Sequence, residues 1–335
     1  MTRNKKKPTA YAFANAFLGS QVRHLMSEAD FNNLIGAKDD KAASEFLQGF
    51  GYEDFGRFND IEGFIRKEQN KHFNMVFDTL SNRSELGMML FPFDYHNIKV
   101  FLKAEFLGIK ADFTYLISTS FIDAPDMEVM VRERDYLKMT KNMKIAIEEA
   151  VDLFNRSHDP QVIDLILDKY CYMDMLKGAM KTENQFLIDY VKLEIDLINL
   201  STFVRVRQMG HSWAFLQKVY LEGGNIGQEF FISNFEENYA NFGDKLEPYG
   251  LRGMLSVGGV LIEEKGDYSL FEKMKSDKKM EHIKKAKYQA FGLSPIGAYW
   301  LAKEAEIDNV RIVLVGRRAE LSHQAISERL RETYV

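Results

Sequence analysis

The sequence predicts an all-α protein built from one helical unit made three times. Hairpin dipeptides of the Asn-Gly and Asp-Gly kind are absent, and the six prolines mostly stand where helices can begin. The motif Asp94-Tyr95-His96-Asn97-Ile98 returns in altered form as Asp196-Leu197-Ile198-Asn199-Leu200 and as Glu306-Ile307-Asp308-Asn309-Val310. Asn97 and Asn199 lie 102 positions apart and Asn199 and Asn309 lie 110 apart, each close to a third of 335. An echo at that interval reads as one supersecondary unit repeated, with expected boundaries 1–112, 113–214 and 215–335.

Each element has its own local reason. Residues 8–22 carry no charge and follow Lys5–Lys7. Asn15 and Gln21 interrupt the stretch too soon for a secretory leader, so it is expected as a buried amphipathic helix. Ser27 and Asp30 offer an N-terminal start for a helix carrying Phe31, Leu34 and Ile35. After Asn97, Asn199 and Asn309 the apolar positions fall at plus one, plus four and plus five, which is one face of a helix: Ile98, Phe101, Leu102; Leu200, Phe203, Val204; Val310, Val313, Leu314. The shorter matches at Asp30–Leu34 and Glu222–Ile226 fail this test at Lys38 and Glu229. Gly108 and Gly210 follow at equal distance, where a left-handed helix end wants glycine; the third copy has Gly316, four positions earlier.

Asp159-Pro160 reads as an N-cap followed by proline, ahead of Ile163, Ile166, Leu167, Tyr170 and Cys171 on one face. Thr182-x-x-Gln185 is expected as a capping box for a helix running to Gly210, and Ser294-Pro295 as a second cap-and-proline start. Arg311–Gly316 is rich in β-branched residues; its repeat partners make it helix all the same.

Composition narrows the function. A net charge of −5 and a pI near 5.9 give no basic excess for nucleic acid. Cys171 stands alone, so no intramolecular disulfide or cysteine zinc site is possible, and the chain reads as intracellular. No stretch reaches the 18 or so apolar residues of a membrane span. There is no phosphate-cradling Gly-x-x-x-x-Gly-Lys-Ser/Thr loop, and Gly223-Gly224 and Gly258-Gly259 read as turns or helix ends. The seven histidines show no helical metal spacing, and the pairs Glu148-Glu149, Glu236-Glu237 and Glu263-Glu264 are explained by solvated helix faces. The expectation is therefore a non-catalytic protein without cofactor or metal. Asp94, Asn97, Asp196, Asn199, Glu306 and Asn309 are expected as structural anchors that hydrogen-bond within the fold.

Asp94–Lys99 with Leu102-Lys103-Ala104 and Leu107-Gly108, together with Leu301–Ile312, Glu328–Glu332 and a terminal Tyr334-Val335, resembles the signature of the C subunit of bacterial and archaeal V-type (A-type) rotary ATPases, which is similar to the eukaryotic d subunit. The middle copy departs from it, with Ser201 where the outer copies have Lys99 and Arg311. The resemblance implies a funnel of three pseudo-symmetric bundles on the cytoplasmic face of the membrane, peripheral to it. Its partners would be the central-shaft subunits and the membrane rotor ring, and its role to pass torque between them. Arg317 and Arg318 are expected as an exposed basic pair available for partner contact. The competing reading is a helical-repeat adaptor that binds a peptide or helix; solenoid repeats, however, run 20–50 residues.

Overall fold

The computed structural model describes residues 8–57, 60–113, 116–117 and 120–335. The described residues contain no strand, and the helical class stands. In chain order come α1 (Ala12–Gln21), α2 (Glu28–Ile35), α3 (Asp40–Gly49) and α4 (Ile61–Phe77). Then follow α5 (Phe91–Leu107), α6 (Ala124–Glu133), α7 (Lys141–Ser157), α8 (Gln161–Thr182), α9 (Gln185–Gln208), α10 (Trp213–Val219) and α11 (Gln228–Ser233). The last are α12 (Tyr239–Lys245), α13 (Val260–Lys265), α14 (Ser269–Lys284), α15 (Leu293–Arg318) and α16 (His323–Ser327). They form two compact units, one of residues 1–82 with 236–335 and the other of residues 83–235.

The first unit closes the two ends of the chain on each other. Ile307, Val310, Val313 and Leu314 of α15 enter one core with Phe31, Leu34, Ala43, Leu47, Phe64 and Ile65. Burying each large aliphatic side chain contributes about 1.5–3 kcal/mol. A second contact lies toward the start of α15. His72 stacks on Trp300 with ring centroids 4.7 Å apart, and its Nε2 meets the Trp300 carbonyl at 3.0 Å. Burial holds this imidazole down at about 3, so it is neutral.

The second unit is an antiparallel helical layer. Lys99 and Lys103 of α5 reach Asp168 and Asp164 of α8 at 2.6 and 2.8 Å, and rising numbers on one helix against falling numbers on the other give the antiparallel sense. α7–α8 and α8–α9 are hairpins with connections of a few residues, which sets each against its neighbour.

Local signals mostly hold, with instructive departures. Ser27 and Asp30 form a reciprocal capping box, and Phe31, Leu34 and Ile35 are buried. Asp159 accepts from Gln161 N–H at 2.9 Å, but the N-cap of α8 is Pro160, one position later than the expected Asp159 cap with proline inside the helix. Gly108 and Gly210 sit at φ +64° and +69° beyond their helices. The expected Thr182 box is not formed, because α8 continues through Thr182 and Asn184 caps α9 by accepting from Leu187 N–H. α15 starts at Leu293, ahead of the expected Ser294-Pro295 cap. Gly316 lies inside α15 rather than at its end; a Cβ there would stand 2.8 Å from Ile326, so glycine is required for α16 to approach. Gly258 and Gly259 belong to a π-helical turn leading into α13. Arg311–Gly316 is helical, since a β preference of a few tenths of a kcal/mol yields to core packing. Residues 12–21 are helical but less buried than expected, with only Ala14 and Leu18 enclosed.

Candidate functional site

Each anchor asparagine is a buried primary amide facing the backbone N–H and C=O of a residue 20–22 positions later. Asn97 donates from Nδ2 to the Ile117 carbonyl at 2.8 Å and accepts at Oδ1 from Ile117 N–H at 2.9 Å. Asn199 does the same to Leu221 at 2.8 and 2.9 Å, and Asn309 to Arg331 at 3.0 and 2.9 Å. One side chain thus satisfies both backbone polar groups of one residue, as a neighbouring antiparallel strand would. The helix carries the asparagine on its buried stripe, one residue before the apolar run, so the loop that follows is pulled onto the helix it has just left.

The acidic residue three positions earlier catches the same loop further on. Asp94 accepts from Ile122 N–H at 3.0 Å, and Asp196 from Asn225 and Ile226 N–H at 2.9 and 3.0 Å. Gly224 permits this approach, because a Cβ there would lie 2.2 Å from Asp196 Oδ1. The third copy differs. Glu306 accepts from Met26 N–H at 2.5 Å, Tyr52 OH at 2.7 Å and Lys303 Nζ at 2.5 Å. Lys303 also lies over the Tyr52 ring, 4.2 Å from its centroid.

Burial pushes the Asp94 carboxyl up to about 7, and its second oxygen has no partner. A folded-state pKa raised above the unfolded value of about 3.9 gives stability that is whole below pH 4 and lost as pH rises toward 7. Asp94→Asn is therefore expected to melt higher than the parent at pH 8, by on the order of 2–4 kcal/mol, with the gap closing toward pH 4. Equal pH profiles in thermal melts would refute this.

The basic position two after each asparagine has two solutions. Lys99 pairs with Asp168 on α8, and Arg311 with Glu62 on α4 at 3.1 Å. Ser201 is buried and bonds back to the Leu197 carbonyl at 2.9 Å, leaving the middle copy without an ion pair there. Arg317 and Arg318 are not an exposed pair. Arg317 is only 14% exposed and donates to the carbonyls of Ile35 and Ala37 at 2.8 and 2.7 Å, where it covers the end of α2. Arg318, the next residue round the helix, is exposed.

Sequence reading did not foresee Tyr52, Met26 or Lys303 around Glu306; no spacing along the chain connects them. Among the described residues there is no group of histidine, cysteine and carboxylate side chains that could hold a metal ion. No helix among them is long and apolar enough to cross a membrane. Cys171 is buried, and burial pushes its thiol up, away from nucleophilic use.

The arrangement is one of fold-fixing polar contacts on three long helices, without a catalytic constellation among them. Comparison with known proteins identifies the pattern: residues 14–329 match the model of the ATP synthase (C/AC39) subunit family, a span that holds all six anchors. The chain belongs to this family. It is similar to the C subunit of the V-type sodium ATPase of Enterococcus hirae, with 24% identity covering 97% of this chain and 99% of that protein. It is also similar to the C subunit of the A-type ATP synthase of Methanocaldococcus jannaschii, with 23% identity over 94% of this chain and 85% of its relative. The C/AC39 family resemblance seen in the signature blocks thus extends over nearly the whole chain.

Proposed function

We propose that this C/AC39 protein is a non-catalytic rotor component, seated peripherally on the cytoplasmic side of the membrane, that joins the central shaft to the ion-carrying ring and passes torque between them. The observation that carries the reading is the match over almost the full length of both this chain and its V-type sodium ATPase relative. The three equivalent asparagine clamps support a threefold repeat and a funnel built from it, with unit boundaries falling after the gripped loops rather than at 112 and 214, since Ile117 and Leu221 lie past those positions. A torque coupler must be stiff, and clamps that fix each long helix to its following loop raise the cost of local opening. Arg318 is the member of the arginine pair available to meet acidic groups on the shaft or ring.

The test is assembly in solution. Mixing the purified chain with purified central-shaft subunits is expected to give a one-to-one complex by native mass spectrometry. Folded partners that fail to assemble would refute the rotor reading. Arg318→Glu is expected to weaken the complex by several-fold, with Arg317→Glu destabilising the fold instead, because it would place a carboxylate against carbonyls at a helix C-terminus.

A further inference from the structure

Two neighbouring segments of the first unit leave aromatic rings in water, and the first of them is rich in lysine. From α14 to Gly292 the sequence has seven lysines and three acids. Those acids are engaged by lysines of α14 itself: Lys275 with Glu272, Lys273 with Asp277 and Lys278 with Glu281. Lys285 and Lys287, just past the helix, are exposed and have no carboxylate at ion-pair distance among the described residues. Right behind them Tyr288 is 93% and Phe291 57% exposed. The second segment is α1, joined to the first where Asn15 Nδ2 donates to the Gly292 carbonyl at 3.0 Å. On it Phe13 is 72% exposed and stacks with Phe17 at 6.1 Å.

The lysines alone have a sufficient structural reason, since cations favour a helix C-terminus. The rings do not. Isolated exposed apolar residues are ordinary, but aromatics gathered on two adjoining segments, beside lysines without a carboxylate partner on one of them (Lys287 resting over the Tyr334 ring at 4.7 Å), mark a contact surface. The chemistry of the partner follows from the lysines. Protein–protein interfaces are depleted in lysine at their centres, whereas aromatic rings interleaved with lysine are the composition of surfaces that rest at the headgroup level of a bilayer. There the rings sit among the glycerol and acyl groups while each ammonium meets anionic phosphate.

We propose that Lys285, Lys287, Tyr288 and Phe291, with Phe13 of α1, form a docking surface for anionic lipid headgroups. From the rotor reading it takes only placement at a membrane. It is independent of any contact with shaft or ring, and would hold the protein against the bilayer by reversible, salt-sensitive contacts.

Flotation of the full chain with protein-free vesicles tests it. Binding is expected to vesicles with about a third phosphatidylglycerol and not to neutral phosphatidylcholine, and to fade at high salt as the phosphates are screened. Lys285→Ala with Lys287→Ala is expected to weaken binding about fivefold per lysine. Tyr288→Ser with Phe291→Ser weakens it further at unchanged circular dichroism. Equal binding to neutral vesicles, or none to anionic ones at low salt, overturns the proposal. So does binding confined to the purified ring in detergent, which would assign the surface to a protein. The unmutated chain and both double variants are also mixed with shaft subunits. Variants that lose vesicle binding yet still assemble support the lipid surface. An unmutated chain that assembles but does not bind anionic vesicles overturns only the lipid surface, and one that binds vesicles but does not assemble overturns only the rotor reading.

Discussion

Replacing Glu306 with alanine is expected to destabilise the first unit by about 3–5 kcal/mol, the range for removing one partner of a buried charged pair. The carboxylate is buried and takes three donors: Met26 N–H, Tyr52 OH and Lys303 Nζ. Without it a backbone N–H, a phenol and an ammonium are left together with no acceptor, and the ammonium cannot reach water without leaving the Tyr52 ring. Burial is the largest influence holding the Tyr52 hydroxyl well above its ordinary value, and it persists without Glu306, so the phenol does not ionise to compensate. Glu306→Gln keeps an acceptor but loses the charge, and is expected to fall between the parent and alanine. Trp300 lies in the same unit, so its fluorescence in a Trp213→Phe background reports the unfolding midpoint directly. A loss below about 1 kcal/mol for the alanine variant would show that the three donors find other partners.

The helical class was legible because its signals are short-range. Ser27 with Asp30 and the left-handed glycines after α5 and α9 each act within a few residues, and each is found where the sequence places it, while the start of α8 lies one residue later than the Asp159-Pro160 signal placed it. Thr182 misled for a physical reason: a threonine hydroxyl bonds equally well to the carbonyl of Ala179 behind it, at 2.6 Å, and the helix ran on until Asn184 offered a better cap. Gly316 misled because glycine serves close approach as well as turns, and only Ile326, brought in by the return of the chain, tells the two apart. Arg317 looked like surface from its neighbour in sequence, yet consecutive helical residues differ by about 100°, which turns one guanidinium inward and leaves the other in water. The spacing of Asn97, Asn199 and Asn309 made them equivalent, but that each grips both backbone groups of one residue depends on where a loop 20–22 positions later is carried, which no local pattern encodes.

Asn199→Ala is expected to cost about 2–6 kcal/mol, more than the same change at Asn97 or Asn309. Removing the amide strands Leu221 N–H and C=O together, at about 1–3 kcal/mol for each buried group left without a partner. At Leu221 both bonds are enclosed, whereas those to Ile117 and Arg331 lie in half-buried surroundings that water can enter to replace the lost partner. The neighbouring hold of Asp196 on Asn225 and Ile226 does not rescue the variant. That carboxylate is itself buried and held above its usual range by desolvation, and it depends on the loop being in place to receive its donors. The two residues grip one loop, so their effects should not add: the double change Asn199→Ala with Asp196→Asn is expected to cost less than the sum of the singles. Denaturant unfolding of the four proteins in the cycle decides this, and strict additivity would mean that the two contacts hold independent stretches of backbone. The rank order across the three asparagines is a separate check, because it depends on water access alone. If Asn97→Ala proved the most damaging, solvent would not be the compensating factor, and the loop after α5 would have to derive its position from that one side chain.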